Sequence, residues 1–324
     1  MRRLGVKVIE IDGLRDKSLD IPAIGKIKKI IKDVKPDIVH THASLSARIA
    51  AKMYGKCKII YTKHCDFPIS SKYKYKIVRK INAILNEVLT DKIIATSEMA
   101  KENLIKQGIN SELIETVLNG VDGFEEIPEQ SKKQLRQKYD IKDSDIVIGY
   151  LARIEELKGH KYLIEAAEIL KDKKNRGLKF LLMGSGAYED EAKSLVEKLN
   201  LQDTVIFTGF IKNVEEMLNI VDIQINASYL SETTNLALLE GMSLGIPTVA
   251  TICGGTPKMI KDWENGLLVE KANSIALAEG IEKIIEDNEK FNKMKELSKK
   301  IFKERYTSKV YSSNIEKIYE SMVK

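Results

Sequence analysis

The chain has 324 residues, 43% of them hydrophobic and 31% charged, the composition of a globular protein with room for two domains. Three cysteines, Cys57, Cys65 and Cys253, stand too far apart for a metal or redox motif, so free thiols in a reducing compartment are expected. No apolar run approaches the ~18 residues of a membrane helix, and the opening MRRLGVKVIEID lacks the apolar core of a signal peptide.

In chain order, short β-branched runs alternate with longer helical stretches. The first half reads GVKVIEI, IGKIKKIIKDV, DIVHT, SARIAAKMY, KIIYT, a Lys/Tyr-rich segment, DKIIAT and SEMAKENLIKQG. The second half reads DIVIGYL, KYLIEAAEILKD, LKFLLMG, YEDEAKSLVEKL, TVIFTG, VEEMLNI, VDIQINA, NLALLEGMSLG and PTVAT, and an almost wholly helical tail follows from Ser274. Runs such as IVIGYL and KFLLMG are nearly continuous, which suits strands covered on both faces. Strand and helix in alternation predict parallel sheets, and two such series predict an α/β chain of two Rossmann-like domains. A polar, turn-rich break near Asp122–Lys142 separates them. The expected domains are 1–125 and 126–307, with the C-terminal helix 308–324 able to join the first.

Charge is divided unevenly. Residues 1–125 carry 23 Lys and Arg against 15 Asp and Glu, and residues 126–324 carry 30 against 32. The basic first half suits an anionic membrane face or an anionic substrate, or is simply a lysine-rich solvated surface.

The stretch YLSETTNLALLEGMSLGIPTVAT sets two acids, Glu232 and Glu240, around the start of an apolar helix. Ser231, Thr233, Thr234 and Asn235 are all cap formers. A helix start at the C-terminal edge of a parallel sheet is a ready phosphate site. A diphosphate joined to two sugars would offer hydroxyls to one carboxylate at each end. The cations it needs are found in GYLARIEELKGHKYLIEAA, as Arg153 and Lys158 in the loop after the domain's first strand. Charged hydrogen bonds of ~1.5–3 kcal/mol each should outweigh the helix dipole, which adds ~0.3–1 kcal/mol.

These residues carry a resemblance. A-R-x₄-K-G-x₃-L-I-x-A, G-S-G, F-T-G-F-I and S-E-x₇-E-G-M-S-L-G-I-P-T-V-A-T-x₂-G-G are similar to the second domain of the family-four retaining glycosyltransferases of GT-B fold. DIVHTH, YTKH and VLNGVD resemble that family's first domain. The resemblance implies two parallel-sheet domains facing across a cleft. It implies sugar transfer from a UDP- or GDP-sugar to an acceptor hydroxyl with retention, in cell-surface polysaccharide or glycolipid synthesis. Arg153 and Lys158 would bind the diphosphate, Glu240 the ribose, and Glu232 the transferred sugar. The backbone near Phe210 and Ile211 would meet the base, and Thr234, Asn235, Leu236 and Gly184 would line the donor site. His64 would lie near donor sugar and acceptor. No metal ion and no cofactor beyond the donor substrate are implied. The acceptor would be a glycan or lipid-linked, and the location the cytoplasm, peripheral at the inner membrane face. Nucleic acid is not an expected partner.

The chain departs from the family pattern in three places. Thr233-Thr234-Asn235 stands where the family has Gly-Phe-Gly. Lys258 stands where it has an acid. The chain begins one strand–helix–strand unit late, so the first domain is expected to be incomplete, and self-association or reduced solubility to follow. A non-catalytic nucleotide-sugar-binding subunit and a GT-B epimerase are the alternative functions.

Other motifs are weaker. His40 and His42 alternate on one strand face but lack an evident third metal ligand. His160 reads as structural. Asp143-Ser-Asp145 precedes its strand, at the wrong sheet edge for a metal-binding D-x-D. Gly184-Ser-Gly186 lacks the third glycine of a dinucleotide fingerprint and reads as a tight turn. Ser71–Ile81 interleaves Lys72, Lys74 and Lys76 with Tyr73 and Tyr75. It could meet anionic lipid or acceptor phosphates, or be a solvated helix face with Ile77 and Val78 buried.

Overall fold

The computed structural model describes residues 5–13, 15, 17–64, 70–171, 177–230 and 234–323. The chain forms two compact units, residues 1–117 with 314–324, and residues 118–313.

In the first unit the order is α1 (Ile21–Val34), β1 (Ile38–His42), α2 (Leu45–Tyr54), β2 (Lys58–Lys63), α3 (Lys76–Leu89), β3 (Lys92–Ala95), α4 (Glu98–Lys106) and β4 (Ile114–Thr116). The strands form one parallel sheet in the order β1-β2-β3-β4. Local signals start and stop the helices. Ser44 accepts a hydrogen bond from the Ala47 amide and Gly55 ends α2 in the left-handed region. Ser97 caps α4 in the same way. Ile93, Ala95, Ala100, Leu104, Ile109 and Ile114 close one core, and Ile31, Ala50, Ala51 and Ile59 another.

The expected first strand, GVKVIEI, is not formed. Residues 6–11 have no regular structure and pair with no strand among the described residues, so Val6, Val8 and Ile9 stay exposed. β propensity cannot hold a strand without a partner.

The second unit contains α5 (Glu129–Lys138), β5 (Ile146–Leu151), α6 (His160–Lys171), β6 (Leu178–Met183), α7 (Glu189–Lys198), β7 (Val205–Gly209), α8 (Val214–Leu218) and β8 (Ile223–Asn226). It continues with α9 (Leu236–Leu244), β9 (Thr248–Thr251), α10 (Thr256–Met259), β10 (Gly266–Val269), α11 (Ser274–Glu286) and α12 (Asn288–Arg305). α13 (Ser308–Val323) begins in this unit, and its residues from Asn314 onward belong to the first. The stretch expected to be only a polar break therefore holds a helix, α5.

The second sheet is parallel, in the order β10-β9-β8-β5-β6-β7. Its middle strands are buried on both faces, as their unbroken apolar runs predict. On β5, Ile148 and Tyr150 enter one core while Val147 enters the other. On β6, Phe180 and Leu182 divide from Leu181 and Met183 in the same way. The chain runs outward from β5 to β7 and then returns to place β8 on the other side of β5. The gap between the ends of β5 and β8 is thus a topological switch point, where open α/β sheets take their ligands.

Candidate active site

Backbone contacts tie the loops at the C-terminal ends of β5, β6, β7 and β8 together. The Tyr150 hydroxyl donates to the Lys158 carbonyl at 2.6 Å. Gly159 sits at φ 72°, and a Cβ there would meet the Ala227 carbonyl oxygen at 2.2 Å. The Tyr229 amide donates to the Leu157 carbonyl at 3.3 Å. Lys158 is therefore held against the end of β8, beside the switch point. Arg153, five residues nearer β5, is 75% exposed and bonds Glu155 Oε1 at 2.6 Å.

Gly184 lies beside the same loop. Its φ is 144°, and a Cβ would stand 2.1 Å from the Ala152 carbonyl oxygen. The Ala152 amide donates to the Met183 carbonyl at 3.1 Å, and Ile154 to Ser185 at 3.0 Å. Glycine is thus required for contact between two backbones, whatever it does for a ligand. The Gly184 amide also donates to Gly209 at 3.0 Å, which brings in the end of β7. Next to it Phe210 is 77% exposed, free to meet a planar ring, while Ile211 is partly buried against the core.

On the other side of the switch point, Asn235 caps α9, its Oδ1 accepting from the Leu238 amide at 3.3 Å. Thr234 is buried and Leu236 exposed. Glu232, with Ser231 and Thr233, lies outside the described residues. Glu240 follows on the second turn of a helix whose Leu238, Leu239, Met242 and Leu244 are buried. Its carboxylate is half-buried and has no hydrogen-bond or ion-pair partner among the described residues, and burial pushes its pKa up. Ser243 Oγ donates to the Glu240 backbone carbonyl, at 2.6 Å, and not to the carboxylate. A half-desolvated acid without a counter-charge costs stability unless a ligand donates to it.

His64 belongs to the first unit, where three imidazoles form a row. His42 Nδ1 and His64 Nε2 are 2.7 Å apart, with ring centroids at 4.9 Å, and His42 stacks on His40 at 4.7 Å. His40 is fixed on both nitrogens, by the Tyr319 hydroxyl at 2.7 Å and Thr62 Oγ1 at 2.6 Å. Burial, followed by the neighbouring rings His42 and His64, pulls the His40 pKa down to about 4. Burial also lowers His42 and His64. The row favours neutral imidazoles near neutral pH, the form in which His64 can accept a hydrogen bond. The parallel pairing of β1 with β2, which sets His42 beside Thr62, brings the strand-end histidines together. Tyr319, 279 positions from His40, had no signal in the sequence. Among the described residues no group of three or more His, Cys, Asp or Glu is arranged to hold a metal ion.

Two further motifs are structural. Asp145 is buried before β5, and its carboxylate accepts from the Lys142 amide at 2.8 Å. His160 is fully buried against Tyr150, at 4.7 Å between ring centroids. Burial lowers its pKa from 6.5 to about 4. The unfolded chain therefore takes up a proton below pH 6.5 that the folded chain refuses until about pH 4. Stability is complete above that window and is lost as pH falls through it, by ~2–3 kcal/mol at pH ~4.5. Denaturant titrations at pH ~7 and ~4.5 should show that His160→Leu removes this part of the acid sensitivity. An equal acid loss in wild type and variant would refute it.

A polar pocket of about 390 Å³ opens at the opposite, N-terminal edge of the second sheet, lined in part by Lys132, Arg136, Asp222 and Lys295. Of the residues singled out from the sequence it contains Asp143 and none of the expected donor-site residues.

Comparisons with known proteins identify the family. The family model for Glycosyl transferases group 1 matches residues 131–301, and that for Glycosyltransferase Family 4 matches residues 2–123. The chain belongs to this glycosyltransferase family and is of the GT-B type. It is 30% identical to EpsD of Bacillus subtilis (strain 168), named as a glycosyltransferase, over 80% of this chain and 70% of that protein. It is 27% identical to the UDP-Gal:alpha-D-GlcNAc-diphosphoundecaprenol alpha-1,3-galactosyltransferase of Escherichia coli, over 78% of this chain and 67% of the relative. The crystal structure of Anabaena Alr3699/HepE in complex with UDP superposes with a TM-score of 0.81 at 22% identity, covering 93% of this chain and 82% of that one. Among the described residues no helix is long and apolar enough to cross a membrane.

Proposed function

We propose that this glycosyltransferase moves a sugar from a nucleotide-sugar, a UDP- or GDP-sugar, to an acceptor hydroxyl with retention. The acceptor is a glycan or a lipid-linked glycan of cell-surface polysaccharide or glycolipid synthesis. The donor binds in the second unit, at the C-terminal edge of its sheet, and the first unit serves the acceptor. The relative from Escherichia coli, whose name specifies UDP-Gal and a diphosphoundecaprenol acceptor, supports this choice of substrate classes.

The observation that carries the proposal is Glu240, a half-buried carboxylate without a counter-charge on the helix that leaves β8. Ribose hydroxyls donating to it would offset its desolvation. In this scheme Phe210 and Ile211 meet the base, and the capped start of α9, with Thr234, Asn235 and Leu236, faces the phosphates. Gly184 keeps the neighbouring loop close. Arg153 and Lys158 supply positive charge where negative charge develops on the departing diphosphate. The exposed Arg153–Glu155 pair is weak, so Arg153 can exchange Glu155 for a phosphate at little cost. Glu232 contacts the transferred sugar, and His64 lies near the reacting sugar and acceptor.

Calorimetry with UDP and GDP tests the site. Glu240→Gln should weaken the preferred nucleotide by roughly tenfold or more, the loss of a charge-assisted hydrogen bond. The same variant should unfold no more easily than wild type, because the unpaired charge is gone. Undiminished nucleotide binding would remove Glu240 from the site. Proton NMR of the first-formed product decides between retention and inversion, and conversion of the donor without acceptor would indicate an epimerase instead.

A further inference from the structure

Helix α3 turns its amphipathic faces the unusual way. Its inward side is polar. Arg48 donates to Asn86 Oδ1 at 2.9 Å and to Thr90 Oγ1 at 3.2 Å. Asn82 donates to the Gln107 carbonyl at 3.2 Å, and Asn86 to the Asn82 carbonyl at 2.8 Å. Its outward side is apolar. Ile77, Ile81, Ile84, Leu85 and Val88 recur at helical spacing, and each is between 42 and 64% exposed. Ile77 is thus not buried, contrary to the solvated-face reading of this segment. Exposed apolar residues are ordinary when scattered, whereas a continuous stripe marks an interaction surface.

The charges beside the stripe identify the partner. Lys72, Lys74, Lys76 and Lys80 are exposed and form no ion pair among the described residues. Glu87 is the one acid on the helix. Tyr75, at the N-terminal end of the stripe, is also exposed. A second copy docked with its helix parallel would bring the lysine flanks together, and one docked antiparallel would set them against a helix end whose single acid is Glu87. An anionic surface complements them. From Ile77 to Val88 the stripe is ~17 Å long at 1.5 Å per residue, far short of the ~30 Å hydrocarbon core. It suits a helix lying in the plane of the headgroups, with lysines toward the phosphates and an aromatic ring at the boundary.

We propose that α3 is a membrane-surface helix, which seats its Ile77–Val88 stripe in an anionic lipid bilayer while Lys72, Lys74, Lys76 and Lys80 engage the headgroups. The docking is a property of the first unit and is independent of the donor-site assignment. In the reading above it brings that unit to lipid-linked acceptors.

Co-sedimentation of the full chain with vesicles tests it, using phosphatidylcholine alone and phosphatidylcholine mixed with phosphatidylglycerol. Wild type should bind the mixed vesicles about tenfold or more tightly than the neutral ones, and added salt should weaken that binding. Ile81→Asp with Val88→Asp should abolish binding. Lys76→Gln with Lys80→Gln should lower it about tenfold on the mixed vesicles. Because the substituted side chains are exposed, thermal melts should remain near wild type. As an independent measure, Ile84→Trp should shift its emission to the blue on mixed vesicles. Absent vesicle binding, equal binding by the aspartate variants, or an unmoved tryptophan emission would overturn the proposal. A dimer in sedimentation equilibrium that Ile81→Asp splits would assign the stripe to a second copy and overturn it as well.

Discussion

Arg153→Ala combined with Lys158→Ala should lower kcat/KM for sugar transfer by about 10²–10⁴-fold while leaving the fold in place. Each charged hydrogen bond to the diphosphate contributes ~1.5–3 kcal/mol, so the pair removes ~3–6 kcal/mol, at ~1.4 kcal/mol per decade of rate. Stability should change little through Arg153, whose ion pair among the described residues is the exposed one with Glu155, and such pairs contribute ~0–1 kcal/mol. Lys158 is positioned through its backbone, since its carbonyl holds Tyr150 and its neighbour Gly159 packs on Ala227. Truncating its side chain leaves those contacts intact. Initial rates with a donor panel, alongside thermal melts, separate the two effects. A double variant that stays folded and keeps near-wild-type kcat/KM would refute the role of these cations.

Gly184→Ala should act through stability. The residue adopts φ 144°, and a Cβ would stand 2.1 Å from the Ala152 carbonyl oxygen. The backbone conformation costs a side chain ~1–3 kcal/mol, and forcing the loops apart adds ~1–3 kcal/mol. The sum is a substantial part of the ~5–15 kcal/mol that holds a typical domain folded. A fall in Tm of roughly 5–20 °C follows for a unit of this size. Gly209→Ala is the control, because Gly209 also has a positive φ, 68°, but a Cβ there meets nothing within 4 Å. It should lose only the ~1–2 kcal/mol of a left-handed residue. Equal losses at both positions would show that crowding at Ala152 is not the cause.

Some of this was readable from local pattern. The unbroken runs of β5 and β6 announced strands covered on both faces, and the two cores that divide their side chains explain why. Ser231, Thr233, Thr234 and Asn235 before an apolar run announced a cap for α9, because a cap depends only on neighbours in the chain, and Asn235 supplies it. Other features were not readable. The spacing of Ile77, Ile81, Ile84 and Val88 makes one face of α3 apolar, but periodicity does not say toward what that face turns. Arg48, Asn82 and Asn86 take the inward side through partners from other segments. GVKVIEI has the composition of a strand, yet pairing requires a neighbour that composition does not supply.

The sequence by itself determined the alternating parallel architecture and the helix ends. Those properties are written within a few turns of chain, where propensity, capping and periodicity act. Only the tertiary structure decided the rest: that the Lys158 loop meets the end of β8, that Ala152 requires Gly184 to be glycine, and that Tyr319 fixes His40. Each of these depends on strand order and close packing between distant segments. Many arrangements satisfy the same local pattern, and the selection among them is made by the burial of a common core.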